Sequence, residues 1–219
     1  MSILVSASTN PPKTLQQMYE YIKKLNDTDV DFIHCDVMDG KFVKSRTFGS
    51  KIVKEINKLS QKKLDVHLMV KHPTFSLKRY IRAGADILTV HYEAYKNKQK
   101  LIKILQKIRA MGAFAGLSFN PDTPVEEVLP FIYYCDMFLV MSVVPGKSGQ
   151  QFISQTIDRL TQINKFLKDQ NLQIQIEVDG GVNTQNIDSL KQLDVNSVVV
   201  GSYLYNSNDY NKAIKDLKI

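Results

Sequence analysis

The chain has 219 residues, of which 43% are hydrophobic and 23% charged, which is typical of one large globular domain. No segment approaches the roughly 20 apolar residues of a membrane span, and the first residues lack the basic opening of a secretory signal. Two cysteines are too few for a disulfide framework. We therefore expect a cytoplasmic protein. The net charge of +7 would suit a nucleic-acid partner, but the lysines follow helical patterns without interleaved aromatic residues, so we favour solvated helix faces that attract small anions.

Short apolar runs alternate with longer amphipathic stretches along the whole chain. The predicted strands are Ile3–Ala7, Phe32–Val37, Leu64–Met69, Ile87–His91, Ala113–Phe119, Met137–Ser142, Ile174–Val178 and Ser197–Val200. The predicted helices include Leu15–Leu25, Ser50–Leu59, Thr74–Ala83, Leu101–Met111, Val125–Tyr134 and Ile157–Leu167. Alternating strands and helices imply a parallel sheet with helical crossovers, and about eight such units fit a closed barrel. We therefore predict an α/β protein, a single-domain (β/α)8 TIM barrel over residues 1–219.

Polar side chains end three of these strands, and the C-terminal ends of the strands are where such barrels carry their active sites. The second strand ends in a segment that contains His34 and Asp36, the third contains His67, and the seventh is followed by Asp179. Side chains two residues apart share a face of a strand, so His34 and Asp36 point the same way. If all four side chains face the barrel axis, two imidazoles and two carboxylates converge at one mouth.

Two imidazole nitrogens and two carboxylate oxygens form a good site for one divalent ion of zinc, iron, manganese or cobalt. A lone histidine in an apolar run is more often a core residue, but four polar residues in phase at three strand ends favour a site. Cys35 faces the other side of its strand, and Glu177 is expected deeper in the barrel. His91 also ends a strand, but no partner for it is visible in the sequence.

Glycines follow the sixth, seventh and eighth strands, at Gly146, Gly149, Gly180, Gly181 and Gly201. Loops after the last strands of these barrels often bind phosphate through backbone N–H groups, and glycine allows the close approach that this needs. Tight turns between strand and helix are the alternative interpretation of each glycine alone.

The strand ends resemble those of the ribulose-phosphate 3-epimerase family. The family pattern H-x-D-V-M-D-G-x-F-V is matched at residues 34–43, H-L-M-V at 67–70, N-P-x-T-P at 120–124, V-D-G-G-V at 178–182 and G-S at 201–202. The motifs occur in the right order over nearly the whole chain, and together they are highly specific.

The resemblance implies that His34, Asp36, His67 and Asp179 bind the metal ion and that Asp36 and Asp179 are also the catalytic acid–base groups. It further implies a set of residues that contact the substrate: Ser6, His67, Gly146, Lys147, Ser148, Gly149, Gly180, Gly181, Gly201 and Ser202. The reaction would be epimerisation at C3 of D-ribulose 5-phosphate to D-xylulose 5-phosphate through a 2,3-enediolate, in the pentose phosphate pathway. The family also suggests a homo-oligomer, a dimer or a hexamer. From the residues themselves, neither a nucleic-acid nor a membrane partner is expected.

The chain departs from the family pattern in two loops, at residues 44–46 and 147–148, and at Ser8, where the family usually has aspartate. Both loops lie where a substrate would be held, so a 3-epimerase of a hexulose phosphate such as allulose 6-phosphate stays open as an alternative. A phosphate-binding barrel without activity is a second alternative, against which the intact set of four metal-binding residues argues.

Overall fold

A computed structural model describes residues 2–218, and its centre is a closed barrel of eight parallel strands in the order β1 to β8. The strands are β1 Leu4–Ser8, β2 Phe32–Met38, β3 Lys63–Met69, β4 Ala85–His91, β5 Phe114–Phe119, β6 Met137–Met141, β7 Gln175–Asp179 and β8 Ser197–Val200. All eight predicted strands are confirmed, with bounds shifted by at most two residues. The predicted (β/α)8 barrel is therefore confirmed; the predicted domain limits include Met1 and Ile219, which lie outside the described residues.

Helices surround the barrel, as the alternating pattern predicts. They are α1 Leu15–Asn26, α2 Ser50–Leu59, α3 Leu77–Arg82, α4 Lys98–Ala110, α5 Val125–Val128, α6 Thr156–Asp169, α7 Ile187–Gln192, α8 Ser202–Tyr205 and α9 Tyr210–Lys218. Local sequence sets the helix starts: the Thr14 side chain accepts a hydrogen bond from the Gln17 N–H, and Asn97 accepts one from Lys100. No helix among residues 2–218 is long and apolar enough to cross a membrane.

Two predicted helices are divided in the structure. The stretch 74–83 consists of a 3-10 turn, Pro73–Phe75, followed by α3, and the stretch 125–134 consists of α5 followed by a 3-10 helix, Leu129–Tyr134. Pro130 explains the second division, because it supplies no N–H to continue the α-helical hydrogen bonds and its ring crowds the preceding turn. The sequence pattern predicted helical structure in each stretch but not the change of helix type.

The strands of the barrel separate two buried regions, one between the strands and the helices and one inside the barrel. Outward-facing strand side chains such as Ile33, Cys35 and Val37 are fully buried against the helices in the main apolar core. Inside the barrel, apolar and polar side chains form separate groups. The apolar group is a small cluster of Ile87, Met137, Leu139, Met141, Val143 and Val199. The inward-facing buried polar side chains are Ser6, Ser8, His34, Asp36, Asp65, His67, Thr89, His91, Ser118, Glu177 and Ser197. The buried polar side chains of the interior thus lie mainly on β1 to β4, and this asymmetry places the site.

Candidate active site

The four residues predicted to bind metal meet at the C-terminal mouth of the barrel. His34 Nε2 lies 3.3 Å from Asp36 Oδ1 and 3.9 Å from Asp179 Oδ2. His67 Nδ1 lies 3.3 Å from the same Asp36 oxygen and 3.8 Å from Asp179 Oδ2. The register of the sheet produces this arrangement, since Asp36 pairs with His67 across β2 and β3, and Asp179 ends β7 on the other side of the barrel.

The donor set fits a divalent ion. Ligand atoms about 2.0–2.2 Å from a tetrahedral ion lie about 3.3–3.6 Å from one another, close to the separations observed. His34 Nε2 and His67 Nδ1 are buried and have no hydrogen-bond partner among the described residues. A buried nitrogen without a partner is costly, and an ion held between the two nitrogens and the two carboxylates would satisfy both.

The two aspartates have different electrostatic environments. Burial alone would raise the pKa of Asp36, but the charge of the His34 imidazole 3.3 Å away, with His67 at the same distance, outweighs burial and holds this pKa well below its usual range. Burial, reinforced by the negative charge of Asp36, raises the pKa of Asp179 to about 7. Two carboxyl groups this close in one buried cavity repel each other when both are ionised, and a divalent ion held between them would offset that repulsion.

His34 is held by a carboxylate that lies deeper in the barrel, on the side away from the mouth. Its Nδ1 lies 2.5 Å from Asp65 Oδ2, and the Ser6 hydroxyl donates to the same oxygen at 3.2 Å. This contact leaves Nε2 as the nitrogen that faces the mouth. Glu177 lies in the same lower layer, where its Oε1 accepts from the Ser197 hydroxyl at 3.0 Å, and burial together with the charge of Asp65 raises its pKa well above the usual value. Glu177 is thus placed deeper in the barrel, as the sequence analysis expected.

His67 is held from the side by a second histidine. Its Nε2 lies 2.8 Å from His91 Nε2, and His91 Nδ1 lies 3.1 Å from Glu93 Oε2. The sequence pattern shows no partner for His91, and neither Asp65 nor Glu93 is among the predicted site residues. Asp65 had a recognisable signal, because it lies two residues before His67 and therefore on the same strand face; the pairing of His67 with His91 depends on strand register and has no such local signal.

The glycine loops enclose one side of a cavity of about 880 Å³ at the barrel mouth. Asp36 and Asp179 line this cavity together with eight of the residues predicted to contact substrate: Gly146, Lys147, Ser148, Gly149, Gly180, Gly181, Gly201 and Ser202. Gly181 has a φ of +65°, and a Cβ there would lie 2.5 Å from the backbone nitrogen of Phe152. Only glycine therefore allows the two loops to approach this closely.

Ser6 and His67, also predicted to contact substrate, are fully buried and lie below the cavity surface. Ser8, two residues further along β1, lines the cavity instead, and its hydroxyl donates to Asp36 Oδ2 at 3.1 Å. Ser8 is not among the predicted site residues and stands where the family pattern usually has aspartate. Substrate contact by Ser6 and His67 stays a prediction.

The segment after β2 is fastened to the end of that strand. The Thr47 hydroxyl donates to the Asp36 carbonyl at 2.6 Å and accepts from the Met38 N–H at 2.9 Å. Arg46 is exposed, forms a backbone bridge with Asp39 and does not line the cavity, whereas Lys147 does. Among the residues in the two altered loops, Lys147 is therefore the cation that the structure places at the cavity.

Comparison with known proteins identifies the family. The family model described as the ribulose-phosphate 3 epimerase family matches residues 5–205. The chain is 37% identical over 199 residues to the ribulose-phosphate 3-epimerase of Synechocystis, covering 91% of this chain and 86% of that protein. It is 38% identical over 189 residues to the ribulose-phosphate 3-epimerase of Aquifex aeolicus, covering 86% of this chain and 83% of that protein.

Among solved structures, the 3-hexulose-6-phosphate synthase of Salmonella typhimurium superimposes with a TM-score of 0.75 at 18% identity, over 100% of this chain and 97% of that chain. That likeness supports the barrel fold alone. The two enzyme relatives and the family model cover most of the chain, including β2, β3 and β7, which carry the converging aspartates and histidines. The chain belongs to the ribulose-phosphate 3-epimerase family.

Proposed function

We propose that the protein inverts C3 of D-ribulose 5-phosphate to give D-xylulose 5-phosphate, with one divalent ion held by His34, Asp36, His67 and Asp179. The observation that carries this proposal is the meeting of two carboxylates and two partnerless imidazole nitrogens at the barrel mouth, next to the glycine-lined cavity. When bound, zinc, iron, manganese or cobalt would supply Lewis-acid stabilisation of the negative charge that develops beside the substrate carbonyl.

One aspartate, ionised, would accept the C3 proton, and the other, already protonated, would deliver its own proton to the opposite face. The hydrogen on C3 lies next to the C2 carbonyl, so a base can remove it if the resulting enediolate is stabilised, and inversion requires a second group that returns a proton to the opposite face. Asp36 is on β2 and Asp179 on β7, three strands apart in an eight-stranded barrel, and they enter the cavity from nearly opposite sides. This placement suits removal by one aspartate and delivery by the other.

Other parts of the cavity would bind and shield the substrate. Gly180, Gly181 and the 146–149 loop border the cavity, and Lys147 adds positive charge there, which favours a phosphate group. Met38, Met69 and Met141 line the cavity near the metal-binding residues. Their apolar side chains would exclude water and strengthen the electrostatic interactions at the reacting carbons.

Proton NMR in heavy water tests the reaction and the role of the ion together. Incubating ribulose 5-phosphate with the metal-loaded protein should remove the C3 proton signal as xylulose 5-phosphate appears, and EDTA should stop both changes. The same experiment with allulose 6-phosphate tests the six-carbon alternative. No exchange of ribulose 5-phosphate with any of the four metals would refute the pentose assignment.

Asp36→Asn and Asp179→Asn each test the two-base scheme. Asparagine has nearly the shape of aspartate but cannot accept the C3 proton, so each variant should lose epimerisation. A single variant that removes the C3 proton without forming xylulose 5-phosphate would still support the scheme, because one face of the substrate would remain active. An Asp179→Asn variant with unchanged epimerisation would refute it.

The active form would be a homo-oligomer, a dimer or a hexamer as the family suggests. Light scattering of the purified protein measures its mass directly, and a mass of 25.0 kDa would show a monomer and refute this part of the proposal.

A further inference from the structure

A chain of three side chains leads from the metal-binding residues to the loop that follows β4. His67 Nε2 meets His91 Nε2 at 2.8 Å, and the two rings are within 20° of parallel with their centroids 4.9 Å apart. Rings joined nitrogen to nitrogen at this centroid separation lie edge to edge, as a hydrogen bond between imidazoles requires. His91 Nδ1 then meets Glu93 Oε2 at 3.1 Å.

Glu93 is itself fixed by the loop after β5. Its other oxygen, Oε1, accepts hydrogen bonds from the Asn120 N–H at 2.8 Å and from the Thr123 hydroxyl at 2.5 Å. The carbonyl of Asn120 accepts from the Arg159 guanidinium at 2.7 Å, and this guanidinium is largely buried. The carboxylate therefore has little freedom to turn, and both of its oxygens are used.

Glu93 dictates the direction of the hydrogen bonds in this chain. An ionised carboxylate only accepts, so the hydrogen of His91 lies on Nδ1, and the remaining nitrogen of the neutral ring, Nε2, is an acceptor. His91 Nε2 then accepts from the Nε2–H of His67. The hydrogen of His67 is thereby kept away from Nδ1, the nitrogen that faces Asp36 and Asp179.

We infer that Glu93, acting through His91, is a positioning residue that fixes the tautomer and the ring orientation of His67 so that its Nδ1 lone pair faces the divalent ion. The inference rests on the proposed function, because it gives His67 the role of a ligand. A partner on the second nitrogen is what metal-binding histidines generally require, and loss of such a partner typically weakens metal affinity 10–100-fold.

The two ligand histidines are thus supported differently. His34 meets its carboxylate, Asp65, directly at 2.5 Å, whereas His67 meets Glu93 only through the second imidazole. His91 also packs against Phe42, with ring centroids 4.7 Å apart, so a purely structural role in filling space is the competing explanation. The experiment therefore needs readouts that packing alone would not change.

The direct test is nitrogen-correlated NMR of the histidine rings in the wild-type protein, both metal-free and loaded with zinc. The expected tautomers are Nε2–H for His67 and Nδ1–H for His91 in both forms. Finding the hydrogen of His67 on Nδ1 in the metal-free protein would overturn the inference, whatever the protein does to ribulose 5-phosphate.

Glu93→Leu and Glu93→Gln test the effect on binding. Leucine removes the acceptor, and we expect a 10–100-fold weaker affinity for cobalt and a shifted cobalt absorption spectrum. Glutamine keeps an acceptor oxygen but also allows the opposite direction of hydrogen bonding, so its affinity should lie between leucine and wild type. Glu127→Gln is the matched control, because Glu127 is a nearby carboxylate that binds the Tyr92 hydroxyl at 2.9 Å instead of His91.

Unchanged cobalt affinity and spectrum in a folded Glu93→Leu variant would overturn the inference, as would an equal loss in the Glu127→Gln control. If Glu93→Leu does not fold, Glu93→Gln and the wild-type tautomers decide. Failure of the proposed function is a separate result: the wild-type protein would then leave ribulose 5-phosphate unchanged, while the tautomers and cobalt binding still report on Glu93.

Discussion

Gly180 immediately follows Asp179, and replacing it with alanine should distort the site. Its φ of +123° lies where side chains are rarely tolerated, and an added Cβ would lie 2.4 Å from Val143 Cγ2 and 2.7 Å from Cγ1. Carbon atoms in contact are normally about 3.5–4.0 Å apart, so the overlap is about 1 Å with two methyl groups. Backbone strain costs about 1–3 kcal/mol and overpacking about 1–3 kcal/mol, which gives a loss of about 2–6 kcal/mol for Gly180→Ala.

Thermal unfolding followed by circular dichroism measures this loss. For a chain of this size each kcal/mol corresponds to about 2–4 °C, so the unfolding midpoint should fall by roughly 10 °C. Turnover should also fall, because the Ser142 hydroxyl bonds the carbonyls of Asp179 and Gly180 and would transmit any shift to the Asp179 side chain.

Gly112→Ala is the matched control, since Gly112 has a φ of +87° but nothing within 4 Å of an added Cβ. It should show the backbone strain alone, about half the loss of Gly180→Ala. Combining Gly180→Ala with Val143→Ala should recover part of the difference, because it removes the two methyl groups that clash. The reasoning is refuted if Gly180→Ala is no more destabilising than Gly112→Ala.

Three further predictions concern the same region. Thr47→Val leaves the Asp36 carbonyl and the Met38 N–H without their partner, so it should lower the free energy of unfolding, measured by chemical denaturation, by about 1–3 kcal/mol. Thr47→Ser keeps the hydroxyl and should lower the free energy of unfolding less. Equal losses in the two variants would contradict this role of the hydroxyl. The hydrogen bonds from His91, Thr123 and Asn120 outweigh burial and lower the pKa of Glu93 to about 2, so its ionised form stabilises the fold above about pH 4.5. In EDTA, the difference in unfolding midpoint between wild type and Glu93→Gln should therefore shrink as the pH falls toward 3; a constant difference would argue against stabilisation of the ionised carboxylate by these hydrogen bonds. A metal ion at about 100 times its Kd should raise the free energy of unfolding of the wild-type protein by about 2.7 kcal/mol over the EDTA-treated protein. The Asp179→Asn variant should lose most of that gain. An equal gain in the wild type and the variant would exclude Asp179 as a ligand.

The sequence determined the barrel and predicted which four side chains meet at its mouth. Strand-end polarity is a local property: His34 and Asp36 are two residues apart, and so are Glu177 and Asp179, so the alternation of a strand alone puts each pair on one face. The apolar runs between amphipathic stretches are equally local, which is why all eight strands were predicted with small shifts at their ends. The resemblance to the family rests on the same strand-end motifs.

Only the tertiary structure decided which side chains support those four. The contacts of His34 with Asp65 and of His67 with His91 join residues 31 and 24 positions apart, and they depend on the register between neighbouring strands. The register between neighbouring strands also determines that Ser8 reaches the cavity, whereas Ser6 lies one layer of side chains below it. Periodicity in the sequence gives the face of a strand to which a side chain points, but its depth in the barrel is fixed when the eight strands close.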